Sequence, residues 1–187
     1  MKVVPVPGRR STTEDTPSGL QITIPTKKNW FLILFMGFWL GGWLFGGVSA
    51  PAAIISEGIP SAAAMFIIFW LGGWIVGGCL VAYVWLWSLV GKEVIIVGNQ
   101  HLTIKRDVLG FGRVKRYESS SISNVRLSPE HLTMWDVRSN LRFWGIGGGN
   151  AAFDYGSSTI RIGNGVDESE ASTIVDEVAD RLPKEVG

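Results

Sequence analysis

Three patterns of apolar and polar positions succeed one another along this chain. Asn29 to Gly91 is almost continuously apolar: its single charged side chain is Glu57, and it holds seven of the nine tryptophans. A run of that length and composition predicts two membrane-spanning helices, Trp30–Val48 and Ala62–Leu89. Ser49 to Ser61, with Pro51, Glu57, Gly58 and Pro60, supplies the turn between them. From Lys92 onward the pattern breaks into short runs punctuated by turn residues. Candidate strands are Glu93–Val97, His101–Val108, Arg113–Glu118, Ile122–Leu127, Leu132–Val137, Leu141–Trp144, Ala152–Tyr155 and Thr159–Ile162, with turns at Gly98–Gln100 and Gly110–Gly112. About seven short strands at this spacing argue a sandwich or small barrel. The third pattern closes the chain. Ala171, Ile174, Val175, Val178, Ala179 and Leu182 recur at helical spacing, Asp167 can cap the helix with Glu170 completing an acidic capping box, and Pro183 stops it.

Residues 1–19, rich in Pro, Ser, Thr and charge, have little to bury and read as a disordered tail. Leu20-Gln21-Ile22-Thr23-Ile24 alternates like a strand and ends at Pro25. It is either an extended lead-in to the membrane or an edge strand of the C-terminal sheet. The expected division is therefore 1–19 tail, 20–91 two-span hairpin and 92–187 soluble domain.

Net charge is +1, which gives no bulk attraction to nucleic acid. Its distribution says more. Lys2, Arg9, Arg10, Lys27 and Lys28 precede the apolar region, Lys92 follows it, and the intervening turn has no lysine or arginine. The positive-inside rule then puts both termini on the cytoplasmic face of an inner or thylakoid-type membrane. The long leader before the apolar run, with Glu14 and Asp15, argues against a cleaved signal peptide.

The apolar region repeats a phrase. Phe38-Trp39-Leu40-Gly41-Gly42-Trp43 returns as Phe69-Trp70-Leu71-Gly72-Gly73-Trp74, and Gly46-Gly47 and Gly77-Gly78 follow at the same offset. Each glycine costs about 1 kcal/mol in a helix interior, so their number requires a reason. Gly37 with Gly41, Gly42 with Gly46 and Gly73 with Gly77 have the small-xxx-small spacing that lets helices approach closely. Trp39 with Trp43 and Trp70 with Trp74 share a helical face. Two readings follow: an antiparallel seam, glycine strip to glycine strip, or a surface that docks another protein's helix.

No catalytic set emerges. His101 and His131 lie 30 residues apart without a nearby cysteine, and no histidine in the apolar region is available to ligate a haem or chlorophyll. Cys79 reads as a packing residue. Gly145 to Gly149 lacks the lysine of a phosphate loop, and Ser119 to Ser121 lack a nucleophile turn. Neither an enzyme nor a bound cofactor or metal is expected. The remaining candidates are Lys105, Arg106, Arg113, Lys115 and Arg116, on two strands joined by a turn. They are either a solvated strand face or a site for anionic lipid.

Strands followed by one helix resemble a pleckstrin-homology (PH)-like domain. Two preceding spans resemble small bacterial membrane proteins that carry such a domain in the cytoplasm. Phe153-Asp154-Tyr155-Gly156, Thr159 to Gly163 and Asp167 to Ala171 resemble the last two strands and helix start of that group. In layout and length the chain is also similar to the photosystem I assembly factor of cyanobacteria and chloroplasts. The resemblance implies phosphate-headgroup contact by the basic hairpin. The expected function is a non-enzymatic accessory or assembly subunit of a larger membrane complex, partnered by lipids and other membrane-protein subunits. The alternative is a lipid-sensing module.

Overall fold

The computed structural model describes residues 9–57, 61–128 and 148–183. The candidate strands Leu132–Val137 and Leu141–Trp144, His131 and most of the glycine-rich connection lie outside the described residues. Two long apolar helices, antiparallel sheets and a C-terminal helix make up the fold. The chain divides into two compact units, residues up to Lys27 together with those from Val90, and Lys28–Leu89.

In the first unit, β1 (Thr12–Thr16), β2 (Gly19–Pro25), β3 (Lys92–Val97), β4 (His101–Val108) and β5 (Phe111–Glu118) form one antiparallel sheet in sequence order. A second antiparallel sheet contains β6 (Ile122–Leu127), β7 (Ala151–Tyr155) and β8 (Ser158–Ile162). Among the described residues the two sheets do not close into a barrel. They share a core with α3 (Glu168–Arg181), which packs on β6 and β7. Alternation explains who enters it. Leu20, Ile22 and Ile24 of β2, Ile95 and Val97 of β3 and Leu102 and Ile104 of β4 are buried, and they meet Phe153, Ile162, Ile174 and Val178 from the other side. Tyr117 joins the sheets edge-on, 5.4 Å from the Phe153 ring and 5.2 Å from that of Tyr155.

Leu20–Ile24 joins the sheet of the C-terminal domain, as the second of the two readings expects, but not at its edge. It lies between β1 and β3, with Leu20 opposite Val97 and Pro25 opposite Lys92. The two-helix unit is thus spliced between neighbouring strands, and the Thr26 N–H closes the ladder on the Gly91 carbonyl at 3.1 Å.

The expected disordered tail is corrected for residues 9–19. β1 pairs with β2 along its length, and polar links fasten the segment to α3. The Arg9 guanidinium donates to both carboxylate oxygens of Glu177 at 2.7 and 3.0 Å. The backbone N–H groups of Arg10 and Ser11 donate to Glu170 Oε1 at 3.0 and 2.6 Å. The capping box is corrected too: Asp167 accepts from the Glu170 N–H at 2.8 Å, but the Glu170 side chain serves this N-terminal strand.

In the second unit, α1 runs Trp30–Glu57 and α2 Ser61–Val90. Each contains a stretch long and apolar enough to cross a membrane, Trp30–Ala53 and Ala63–Val90, which marks this unit for membrane association. The expected turn from Ser49 is corrected: α1 continues through Pro51. A proline removes one backbone donor, and the apolar residues after it continue the helix.

Candidate functional site

The repeated phrase builds a symmetric tryptophan pair. The Trp43 indole N–H donates to the Trp74 carbonyl at 3.1 Å, and the Trp74 indole N–H donates to the Trp43 carbonyl at 3.1 Å. Their rings stack at 4.2 Å and 27°. Trp39 leans on Trp43 and Trp70 on Trp74, each pair at 4.5 Å. Each indole lies over the other helix's second glycine pair, Trp74 over Gly46 and Gly47, Trp43 over Gly77 and Gly78. Gly37 likewise faces Trp85, whose N–H donates to the Ile33 carbonyl at 2.9 Å.

The glycine-to-glycine seam is therefore corrected to indole-on-glycine seats. A β-carbon at Gly41, Gly42, Gly72 or Gly73 would meet nothing within 4 Å. The reason is the indole N–H. In apolar surroundings it has to find an acceptor, and a helix carbonyl beside a glycine is reachable because no side chain covers it.

The basic candidates divide into two sets. Lys105 reaches Asp107 Oδ1 at 2.7 Å, and Arg106 Nε lies 3.8 Å from buried Glu93. Arg113, Lys115 and Arg116 are exposed and have no ion-pair partner among the described residues. They sit on β5, the edge of this sheet among the described residues, where six successive residues from Phe111 to Arg116 are exposed. Arg113 is directly opposite Arg106, an unfavourable like-charge pair that an anion would relieve.

The partners of the first set explain why sequence alone grouped all five. Glu93 Oε2 accepts from the backbone N–H groups of Gly163 and Asn164 at 3.0 and 2.9 Å, tying β3 to the loop after β8. Burial raises the Glu93 carboxyl above its ordinary value, against the opposing pull of the Asn164 N–H, Arg106 and the Gly163 N–H. Asp107 is held low by its bond to Lys105, with burial acting the other way. These charges knit the domain together.

Sequence reading missed the apolar residues of the same hairpin. Leu109 and Phe111 are 67% and 85% exposed, and Val114 is 48% exposed. The signal was available: leucine and phenylalanine flank Gly110, where a turn ordinarily carries Asn, Asp or Gly.

His101 starts β4 and is exposed, and Ser119 is a turn residue whose hydroxyl donates to the Gly98 carbonyl at 3.2 Å. Among the described residues no group of three His, Cys, Asp or Glu side chains is placed to hold a metal. No family model, curated protein or solved structure matches the chain.

Proposed function

We propose that this is a non-enzymatic integral membrane protein whose α1–α2 hairpin spans the bilayer and whose β domain engages anionic headgroups on the cytoplasmic face. The observation that carries the reading is the exposed cation set Arg113, Lys115 and Arg116, without an ion-pair partner among the described residues, on the last strand of the described sheet. Near an anionic leaflet each gains about 1 kcal/mol, so roughly 3 kcal/mol for the set. β2 to β8 followed by α3 support a PH-like order, with the membrane hairpin inserted after its first strand and β1 added outside.

Charges on an edge strand also guard it against pairing with another chain. Lipid dependence separates the two roles. In the full-length protein in nanodiscs, amide exchange across Lys105–Glu118 slows when phosphatidylglycerol replaces part of the phosphatidylcholine. The triple variant Arg113→Ala, Lys115→Ala, Arg116→Ala loses that slowing. Exchange indifferent to lipid charge would reject headgroup binding.

A second reading, an accessory or assembly subunit of a larger membrane complex, is favoured by one observation. Gly41, Gly42, Gly72 and Gly73 are not used by the hairpin's own packing, and open glycine surface is what another helix packs against. A stoichiometric companion in a mild-detergent pull-down supports this reading, and a lone protein carrying only lipid removes it.

A further inference from the structure

We propose that the β4–β5 turn is a membrane-penetrating tip, with Leu109 and Phe111 entering the acyl boundary of an anionic leaflet and Arg113 and Lys115 held at its headgroups. This deepens the headgroup reading and rests on it.

The turn is built against the interest of the fold. Leu109 and Gly110, its two central residues, have φ of 53° and 91°. Two positive φ values in succession suit Asn-Gly or Asp-Gly; a leucine there meets a steric penalty. It also leaves its side chain two-thirds exposed at 67%. Phe111 is 85% exposed. Strain and exposure together at one apolar residue point to a role outside the domain.

The register supplies the place. Lys92, Asp107 and Gly112 form one row across β3, β4 and β5. Val108 and Phe111 pair one row further on, and Leu109 and Gly110 project beyond them. That is the sheet end where Thr26 bonds Gly91 and the chain leaves for the two apolar helices. Only Gly91 separates the last residue of α2 from the first of β3. That end of the sheet is thus the one from which the chain runs into, and returns from, the apolar segments.

The spacing along β5 supplies the chemistry. At about 3.3 Å per residue, Arg113 lies about 7 Å and Lys115 about 13 Å behind Phe111. Apolar groups entering roughly 5–10 Å below the headgroups thus leave these cations among the phosphates. An apolar tip backed by cations is the order of layers met on approaching a bilayer from water.

The test uses the full-length chain with Cys79→Ala, reconstituted in vesicles of phosphatidylcholine alone or with phosphatidylglycerol. Nitroxide labels are attached after Leu109→Cys, Phe111→Cys or Asn99→Cys, the last at the far turn of β3 and β4. With phosphatidylglycerol, the labels at 109 and 111 become accessible to oxygen and shielded from a water-soluble nickel complex, and the label at 99 stays aqueous. Labels at 109 and 111 as aqueous as the one at 99 would overturn the insertion. The unlabelled Leu109→Asn variant provides the second measurement. Asparagine suits the turn, so the fold is kept, while lipid-dependent slowing of β4–β5 amide exchange weakens about tenfold. Slowing that is undiminished in Leu109→Asn, with aqueous labels, removes insertion and leaves headgroup binding standing. Slowing absent even in the parent chain removes both.

Discussion

Trp43 and Trp74 each donate an indole N–H to the other's backbone carbonyl, both at 3.1 Å, with their rings stacked between. This reciprocity gives the repeated phrase a physical reason: two copies of one surface satisfy each other. Trp43→Phe keeps most of the ring and removes the donor. We expect it to cost about 1 kcal/mol in reversible unfolding from mixed micelles, with Trp74→Phe costing the same. Because the stack is shared, the double variant should fall short of the sum. Additive losses would mean that the two bonds are independent.

The glycines should sort by what lies over them. A β-carbon at Gly78 would sit 2.8 Å from Trp43 Nε1, whereas one at Gly72 meets nothing within 4 Å. Gly78→Ala should displace Trp43, lowering thermal stability and altering the near-ultraviolet circular dichroism of the stack. Gly72→Ala should leave the spectrum intact and stabilise α2 by up to about 1 kcal/mol. Equal effects from both would contradict the indole-on-glycine seat.

Glu170 holds the N-terminal strand by accepting from two backbone N–H groups, one of them at buried Ser11. Glu170→Ala leaves both donors without that acceptor, at a cost of about 1–3 kcal/mol each when buried. Amide exchange should quicken across Thr12–Thr16 before the rest of the sheet. An unaltered exchange pattern would show that β1 does not depend on this carboxylate.

Acid should loosen the second sheet through Asp154. Arg126 holds its carboxyl far below the ordinary value of 3.8, helped by Thr159 and Asn124. Such a group contributes stability that is present above the unfolded value and lost as pH falls through the folded one. Unfolding midpoints should therefore drop as pH falls below about 4, and Asp154→Asn should flatten that part of the profile.

Glu93 works in the opposite sense. Its folded value is raised by burial, so its contribution is complete below the ordinary 4.5 and is lost as pH rises through the folded value. Glu93→Gln should remove that decline from a plot of unfolding midpoint against pH. A variant retaining the full decline would assign it to another group.

Alternation made β4 legible to the residue, because Leu102 and Ile104 share one face in the core, whereas the shift of register between Ser123 and Arg126 in β6 follows no alternation. The apolar run gave both helices, though α1 outlasts the break that Pro51 suggests. β1 was invisible: Thr-Thr-Glu-Asp-Thr has no apolar face, and its order comes from the β2 ladder and from the ties of its neighbouring residues to α3. The place of β2 was hidden for a related reason, since its partner follows only after the two helices. A repeat shows which residues correspond but not which of them touch, so tryptophan over glycine could not be told from glycine against glycine. In the basic hairpin, charge was readable but the acids opposite were not. Lys105 and Arg106 answer Asp107 and Glu93, and the set without an ion-pair partner among the described residues shrinks to Arg113, Lys115 and Arg116.

The proposed bilayer-facing role of the β4–β5 turn depends on β2 and β3 pairing as neighbours although the two apolar helices lie between them in sequence. Thr23 and Val94 are direct partners in that ladder, and facing strand residues lie at Cα separations of about 4.5–5.5 Å, within disulfide reach. The decisive measurement is oxidation of the full-length chain carrying Cys79→Ala, Thr23→Cys and Val94→Cys in its native membrane. An intramolecular disulfide, seen as a reductant-sensitive gel shift of the monomer, is the predicted result. Absence of that shift, or cross-linking only between chains, would contradict the spliced domain and the membrane-facing hairpin with it.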